Sequence, residues 1–289
     1  MGLGKTVQTL SFIQHMVEHG ADKPNLIVVP TSVLPNWERE ASKFVPDLRV
    51  LTIYGTRREN MFKKIKDTDL VLTTYALLRR DLEELQKYDF NTIILDEAQN
   101  IKNPNTITAR SVRHINADMR LCLSGTPIEN NLFELWSLFE FLMPGFLGAQ
   151  HAFKRGVVKP IKEGDDETLA FLRTRVRPFI LRRTKSEVAK DLPPKIENTY
   201  FCALAEEQAE LYAMLAKKLK EQVLSTVDKN GIAKSQMSIL DALLKLRQIC
   251  CHVRLLKIDL PGVSTNVPSG KFDAFKDMVT DIVEEGHKV

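Results

Sequence analysis

The sequence predicts an α/β protein, with a parallel sheet flanked by helices and followed by a helical region. Two observations support this fold class. Short apolar runs rich in β-branched residues alternate with helical patterns up to Ser124, as is typical of a buried parallel sheet. After Gly125 the apolar residues recur mainly at helical spacing, so the rest of the chain should be helical.

The strands expected from these apolar runs are 26–29, 49–54, 70–75, 92–95 and 120–124. A helix over 6–19 should end at Gly20 in a left-handed turn, and a helix over 34–44 has Pro35 in its first turn. A basic helix is expected between 57 and 66. One more strand is expected immediately before Met1.

The later helices are predicted from amphipathic patterns and turn residues. One is expected within the apolar and aromatic stretch 132–147, ending near Pro144-Gly145, and the others at 206–224, 239–250 and 271–285, with a linker over 253–269.

Composition narrows the possible function classes. The chain has 41 Lys and Arg against 37 Asp and Glu, a net charge of +4, which permits nucleic-acid binding without arguing for it. Its four cysteines lack zinc-site spacing, so reduced thiols in a cytosolic protein are expected. No apolar run approaches the length of a membrane span, and residues 1–20 are too polar for a signal peptide.

The chain begins with the second half of a phosphate-binding loop, Gly2-Leu3-Gly4-Lys5-Thr6. Backbone N–H groups of this segment would bind phosphate oxygens at the N-terminus of the following helix. Lys5 would reach the β and γ phosphates of ATP, and the Thr6 hydroxyl would help to hold Mg²⁺. A glycine-rich helix cap with a solvated lysine is the alternative.

A pair of carboxylates, Asp96 and Glu97, follows the expected strand 92–95. This is the end of a parallel strand at which ligands bind. Asp96 would hold Mg²⁺, and Glu97 would orient and polarise an attacking water. An acidic turn capping the next helix would explain the pair alone, but the phosphate loop upstream favours an ATP site.

Seven segments, taken in order, resemble those of the Swi/Snf-type ATPases among the superfamily 2 helicase-like proteins. They are 1–10, 30–37, 73–75, 96–103, 123–130, 179–185 and 246–252. The resemblance covers nearly the whole chain, and the number and order of the segments make it specific. The chain departs from the family pattern at Val253, where the family often has proline.

The resemblance implies a DNA-dependent ATPase with two RecA-like lobes, which uses ATP and Mg²⁺ and moves along double-stranded DNA. It implies DNA-bound proteins, such as a polymerase or a nucleosome, as possible targets, no membrane partner, and a cytoplasmic (bacterial) or nuclear (eukaryotic) location. Residues 1–130 would be the ATP-binding lobe without its first strand. Residues 131–260 would be a helical extension and inter-lobe segment, and 261–289 a linker and first helix leading to the second lobe, which would carry the arginine finger.

The resemblance also suggests roles for individual residues. Gln99 would contact nucleotide or the second lobe. Ser124 and Thr126 would couple the nucleotide state to the grip on DNA, although a simple Ser-Gly-Thr-Pro turn is the alternative. The residues that would contact DNA phosphates, unless they serve only as turn and capping residues, are Thr31, Ser32, Thr73, Thr74 and Tyr75.

Two further features are open to different interpretations. Trp37 is expected to pack in the core rather than to stack on a base. The basic block over 171–185 could bind phosphates, or it could be a solvated face or pair with the second lobe.

The alternative function is that of a non-hydrolysing nucleotide- or DNA-binding module for this chain by itself. A P-loop protein of another kind, such as a kinase, is disfavoured because it would not explain segments 73–75, 123–130 and 246–252.

Overall fold

The structure is a computed structural model that describes residues 3–55, 58–125, 132–188, 196–256 and 267–288. The chain forms two compact units, Met1–Leu192 and Pro193–Val289. The domain boundaries at 130 and 260 that the resemblance implies stay predictions.

The first unit is built on a five-stranded sheet with the order β2-β3-β1-β4-β5. Every pairing in it is parallel, which confirms the predicted α/β class. The strands are β1 (Asn25–Val29), β2 (Val50–Thr52), β3 (Leu70–Thr74), β4 (Asp89–Leu95) and β5 (Asn116–Cys122). All residues of β1 and β3 are buried, as their apolar sequences predict.

Helices cover both faces of this sheet. The helices of the first unit are α1 (Lys5–Glu18), α2 (Leu34–Phe44), α3 (Glu59–Phe62), α4 (Tyr75–Arg80), α5 (Leu82–Leu85), α6 (Ile107–Arg113), α7 (Leu132–Leu142), α8 (Gln150–Phe153), α9 (Lys159–Lys162), α10 (Asp166–Val176) and α11 (Lys185–Val188). Helices α1 and α2 pack on one face, against Ile27 and Val29. Helices α4, α6 and α7 pack on the other, against Leu26 and Val28, because successive side chains of a strand point to opposite faces.

The predicted ends of α1 and α2 are largely confirmed. Gly20 has φ 90°, and Ala21 N–H donates to the carbonyl of Met16, so the helix ends in the expected glycine turn. Helix α2 has the predicted bounds, with Pro35 in its first turn.

Several boundaries in the first unit differ from the prediction; strands β2 and β4, for example, are Val50–Thr52 and Asp89–Leu95 rather than 49–54 and 92–95. Strand β5 begins at Asn116 rather than Arg120. The prediction missed its first residues because they include exposed polar side chains, which give no hydrophobic signal. The expected basic helix is only the four-residue α3 followed by a 3-10 turn, Ile65–Asp67. Helix α7 ends at Leu142, shortly before the predicted end near Pro144-Gly145, and Gly145 has φ 79°.

The second unit contains α12 (Glu206–Asn230), α13 (Ile232–Cys251) and α14 (Gly270–Glu284). Only Gly231, with φ 73°, separates α12 from α13. Both helices are longer than predicted because largely polar helical turns continue them beyond the amphipathic segments. They pack through Leu211, Leu215 and Ile249. The buried Gln208 amide donates to the carbonyl of Ile249 at 2.7 Å, which ties one end of the hairpin together.

The core beneath α7 gives a stability prediction. Phe141 on α7 is 0% exposed, whereas Phe171 on α10 is 64% exposed. We expect Phe141→Ala to lower the free energy of unfolding of the first unit by about 3–5 kcal/mol, through lost transfer energy and the cavity left behind.

The matched control, Phe171→Ala, should change that free energy by less than about 0.5 kcal/mol. Urea unfolding followed by tryptophan fluorescence measures both variants, since both tryptophans, Trp37 and Trp136, lie in the first unit. Equal losses in the two variants would contradict the packing of α7 described above.

Candidate active site

The parallel sheet brings the ends of its strands to one edge. Val29 of β1 pairs with Thr74 of β3, and Leu95 of β4 pairs with Val28 of β1 and with Cys122 of β5. The segments that follow these strands therefore meet at the carboxyl edge, where open α/β sheets bind ligands.

The phosphate loop enters this edge through α1. Gly4 has φ 74° and ψ 23° and precedes the first residue of the helix, Lys5. A side chain at position 4 would be strained in this left-handed conformation. The first N–H groups of α1 have no partner within the helix, so they and the positive end of its dipole favour an anion. Gly2 lies outside the described residues.

A line of polar contacts crosses the edge from α1 to the end of β5. The Lys5 ammonium lies 3.8 Å from Glu97 Oε1. Gln99 Nε2 donates to Glu97 Oε2 at 2.8 Å, and Ser124 Oγ donates to Gln99 Oε1 at 3.2 Å. Three segments that are distant in sequence thus share one network. Thr126 lies outside the described residues.

The backbone at Glu97 is unusual. With φ 48° it is the one residue other than glycine with a positive φ in the part of the chain that the structure describes. Its position is fixed on both sides, because Glu97 N–H donates to Asp96 Oδ1 at 2.9 Å and Ala98 N–H donates to the carbonyl of Leu123. A strained backbone at a polar strand end is a frequent feature of functional sites.

Asp96 is almost buried, at 7% exposed. Burial raises the pKa of its carboxyl group, and hydrogen bonds from the Trp37 indole and the Glu97 N–H partly oppose this rise. Trp37 Nε1 donates to Asp96 Oδ2 at 2.9 Å. Tyr75 donates its hydroxyl to the main-chain carbonyl of Asp96 at 2.7 Å. Burial also raises the pKa of Tyr75, so its hydroxyl stays protonated and remains a donor.

The residues present fit a magnesium site of the kind that substrate completes. Mg²⁺ prefers oxygen ligands and is usually held by one or two carboxylates together with phosphates and water. The Asp96 carboxylate and the Thr6 hydroxyl are ligands of this type. Within the described ranges no group of three or more His, Cys, Asp or Glu could hold a metal ion, so an all-protein metal cage is not found there.

The five residues predicted to contact DNA fall into two groups. Thr31 and Ser32 are exposed in the short 3-10 turn between β1 and α2. Thr73 is buried and donates to the carbonyl of Ile53, and Thr74 accepts from Leu77 N–H as the cap of α4. Tyr75 is 8% exposed.

These contacts give the second group internal roles, so capping and support explain the Thr73, Thr74 and Tyr75 side chains. Sequence reasoning missed Tyr75 as a support of Asp96, and it treated Trp37 as packing alone. The one available signal was that a buried indole N–H needs an acceptor.

A cavity of about 450 Å³ lies beside Lys5 in the first unit. Its walls include Ser124 and Gly125, and also Arg182 and Arg183 from the basic block. Part of that block therefore lines the same cavity as Lys5, although Arg182 and Arg183 are themselves exposed.

A model of the SNF2-related domain matches residues 1–255. The chain belongs to this family.

Two relatives illustrate the match. The helicase/translocase YwqA of Bacillus subtilis (strain 168), described as ATP-dependent, is 44% identical over 262 residues, covering 88% of this chain and 28% of that protein. The TATA-binding protein-associated factor MOT1 of Saccharomyces cerevisiae is 39% identical over 282 residues, covering 89% of this chain and 15% of that protein. The chain therefore spans less than a third of either relative.

Solved structures agree with the fold. The SWI2/SNF2 ATPase core of Sulfolobus solfataricus in complex with dsDNA is 40% identical, with a TM-score of 0.63, covering 99% of this chain and 59% of that one. A second solved structure, described as the same ATPase core domain with no mention of DNA, gives a TM-score of 0.60. The RecA-like ATPase fold and the Swi/Snf resemblance inferred from the sequence are thereby confirmed.

The family is one of helicase-like ATPases, so nucleotide binding is a family property, as the sequence predicted. Its members come from both bacteria and eukaryotes. Among the helices that the structure describes, none has the length and apolar character to cross a membrane.

The left-handed backbone at Glu97 gives a second prediction. Glu97→Gly and Glu97→Ala remove the same carboxylate, but only glycine adopts this backbone without strain. We expect the Gly variant to be more stable than the Ala variant by about 1 kcal/mol in urea unfolding.

The control is the same pair at Glu38, an exposed position inside α2. There the order should reverse, with Ala the more stable by about 1 kcal/mol. If Ala is also the more stable at position 97, the backbone there is not left-handed.

Proposed function

We propose that this chain is the ATP-binding lobe of a DNA-dependent ATPase that couples hydrolysis to movement on double-stranded DNA and so remodels or displaces DNA-bound proteins. The observation that carries the proposal is the contact line from Lys5 through Glu97 and Gln99 to Ser124. It brings the Lys5 ammonium, the Glu97 carboxylate and a residue at the end of a neighbouring strand into one network, as a phosphate site of this kind requires.

Each of these residues has a chemical role in the proposal. Lys5 and the first N–H groups of α1 bind the phosphates, and Thr6 and Asp96 hold Mg²⁺. Bound Mg²⁺ would neutralise charge on the phosphate oxygens. The Glu97 carboxylate orients the attacking water; its Oε2 accepts from Gln99, which links the carboxylate to Gln99.

Gln99 and Ser124 support the coupling part of the proposal. A change in nucleotide state that moves Glu97 also moves Gln99, because the two side chains share a hydrogen bond. Gln99 is in turn bonded to Ser124, which follows β5. The network therefore gives a physical route from the phosphate site to the neighbouring strand end.

DNA is the partner proposed for the exposed turn at Thr31 and Ser32. Hydroxyl and backbone N–H groups at such a turn can hold phosphate oxygens without reading the sequence. The turn stands at the carboxyl edge of the sheet, directly after β1. The solved Sulfolobus relative is described in complex with dsDNA, which supports duplex DNA as the ligand.

The competing function is a binding module that does not hydrolyse ATP. Steady-state ATPase activity with and without duplex DNA separates the two, measured on this chain and on a protein extended to the length of its relatives. DNA-stimulated turnover in the extended protein supports the motor. The chain alone should be nearly inactive, since an arginine finger from a second lobe contributes on the order of 10³-fold or more.

The carboxylate of Glu97 gives a third prediction. Glu97→Gln keeps the shape of the side chain and removes its charge, so it should lower the DNA-stimulated kcat of the extended protein by about 10²–10⁴-fold. ATP binding should be retained, because the residues that bind the phosphates are unchanged.

Glu83→Gln makes the same change at an exposed position on α5 and should leave kcat unaltered. Release of inorganic phosphate measures turnover in both variants. Wild-type turnover by Glu97→Gln would remove Glu97 from the mechanism.

The exposed turn gives a fourth prediction. Replacing both Thr31 and Ser32 by Ala should weaken duplex DNA binding about tenfold, from the loss of two hydrogen bonds to phosphate. The loss should be equal for duplexes of unrelated sequence.

Fluorescence anisotropy at fixed salt measures the affinity. Ser42→Ala, on the exposed side of α2 with its hydroxyl bonded to the carbonyl of Glu38, is the control and should bind as the wild type does. If the variant with both Thr31→Ala and Ser32→Ala binds duplex DNA as tightly as the wild type, the DNA is bound elsewhere.

A further inference from the structure

The Asp96 side chain is held at both of its oxygens. Trp37 Nε1 donates to Oδ2 at 2.9 Å, and Glu97 N–H donates to Oδ1 at 2.9 Å. The main chain of Asp96 is held as well, since the Tyr75 hydroxyl donates to its carbonyl at 2.7 Å. Three donors from three different segments therefore fix this one residue.

Trp37 differs from an ordinary core residue in where its polar atom points. The side chain is 1% exposed and packs among Leu34, Ala41 and residues of the sheet, which explains its apolar ring. A buried indole N–H needs an acceptor. Many acceptors would satisfy it, yet here the acceptor is the carboxylate that follows β4. Hydrogen bonds to an ionised acceptor are about twice as strong as neutral ones.

We propose that Trp37 is a positioning residue that orients the Asp96 carboxylate for the divalent metal. This inference rests on the proposed function, because it concerns the metal that accompanies ATP. The indole ring fixes the direction of its N–H through the packing of α2, and the N–H in turn restricts rotation of the carboxylate. The Asp96 carboxylate would then already be oriented when Mg²⁺ binds, so less conformational entropy would be lost on binding.

A purely structural role for Trp37 makes a different prediction. If only the volume of the ring mattered, Trp37→Phe would lower stability and leave the metal dependence of nucleotide binding unchanged. The positioning role predicts that the metal dependence changes even in a folded variant. Residues that orient a metal ligand typically contribute 10–100-fold to metal affinity.

The chain offers a matched control in its other tryptophan. Trp136 on α7 is 5% exposed, and its Nε1 donates to the carbonyl of Gly148 at 2.9 Å. Trp136→Phe therefore removes another buried indole and an equally short hydrogen bond, in a different hydrophobic cluster of the first unit.

The experiment titrates Mg²⁺ into protein with a fixed concentration of fluorescently labelled ADP, and follows anisotropy. We expect Trp37→Phe to raise the Mg²⁺ concentration for half-maximal binding about tenfold. The metal-free binding of ADP should be unchanged, and Trp136→Phe should titrate as the wild type does.

A second measurement needs no substitution at position 37. The two indole N–H groups give two signals in a ¹⁵N–¹H spectrum of the wild-type chain, and Trp136→Phe assigns them. Adding Mg²⁺ and ADP together, but not ADP alone, should shift the Trp37 signal and leave the Trp136 signal in place.

Two results would overturn the inference. One is a folded Trp37→Phe variant whose Mg²⁺ titration coincides with that of the wild type. The other is a Trp37 signal that does not respond to Mg²⁺ and ADP when the wild type binds both. If the wild-type chain and the extended protein bind no nucleotide with Mg²⁺, the proposed function itself fails and this inference fails with it.

Discussion

Parallel strand pairing is the constraint on which the site depends. Since the strands of the sheet all run in one direction, each delivers the residues after it to the same edge. The segments that begin at Thr31, Tyr75, Asp96 and Leu123 are therefore neighbours, although long stretches of chain separate them. One antiparallel strand would carry its following loop to the opposite edge. The buried strands thus determine the position of the chemistry as well as the stability of the fold.

The two carboxylates at this edge are held in contrasting ways. Asp96 is buried, and donors on three sides fix it. Glu97 is held by one amide hydrogen bond and by a long contact to Lys5. The Lys5 side chain is 31% exposed and the Glu97 side chain 19% exposed. A partly exposed ion pair of this length contributes little to stability, so it can be exchanged for contacts to a phosphate at little cost. A fixed metal ligand beside an adjustable carboxylate suits a site that binds and releases a charged substrate.

Local sequence patterns predicted the parts of the fold that local physics determines. The buried β1 and β3 and the bounds of α2 were found from apolar runs and from Pro35. The polar start of β5 was missed because an edge strand with exposed residues lacks that pattern. In the site, the sequence predicted that the motif residues lie at the carboxyl edge of the sheet, but two features could not be predicted from it. The left-handed backbone of Glu97 has no local signal, and the acceptor of Trp37 lies 59 residues further along the chain.

The strand order also has a consequence for how the chain reaches its native state. Strand β1 is the central strand, and Asn25 pairs with Leu70 on one side and with Thr92 on the other. During synthesis β1 therefore leaves the ribosome well before either of its partners, with an apolar sequence and two unpaired edges. Such delayed, non-local pairing slows folding and exposes a segment prone to aggregation. Early packing of α1 and α2 on one face of β1 would shield it during this interval.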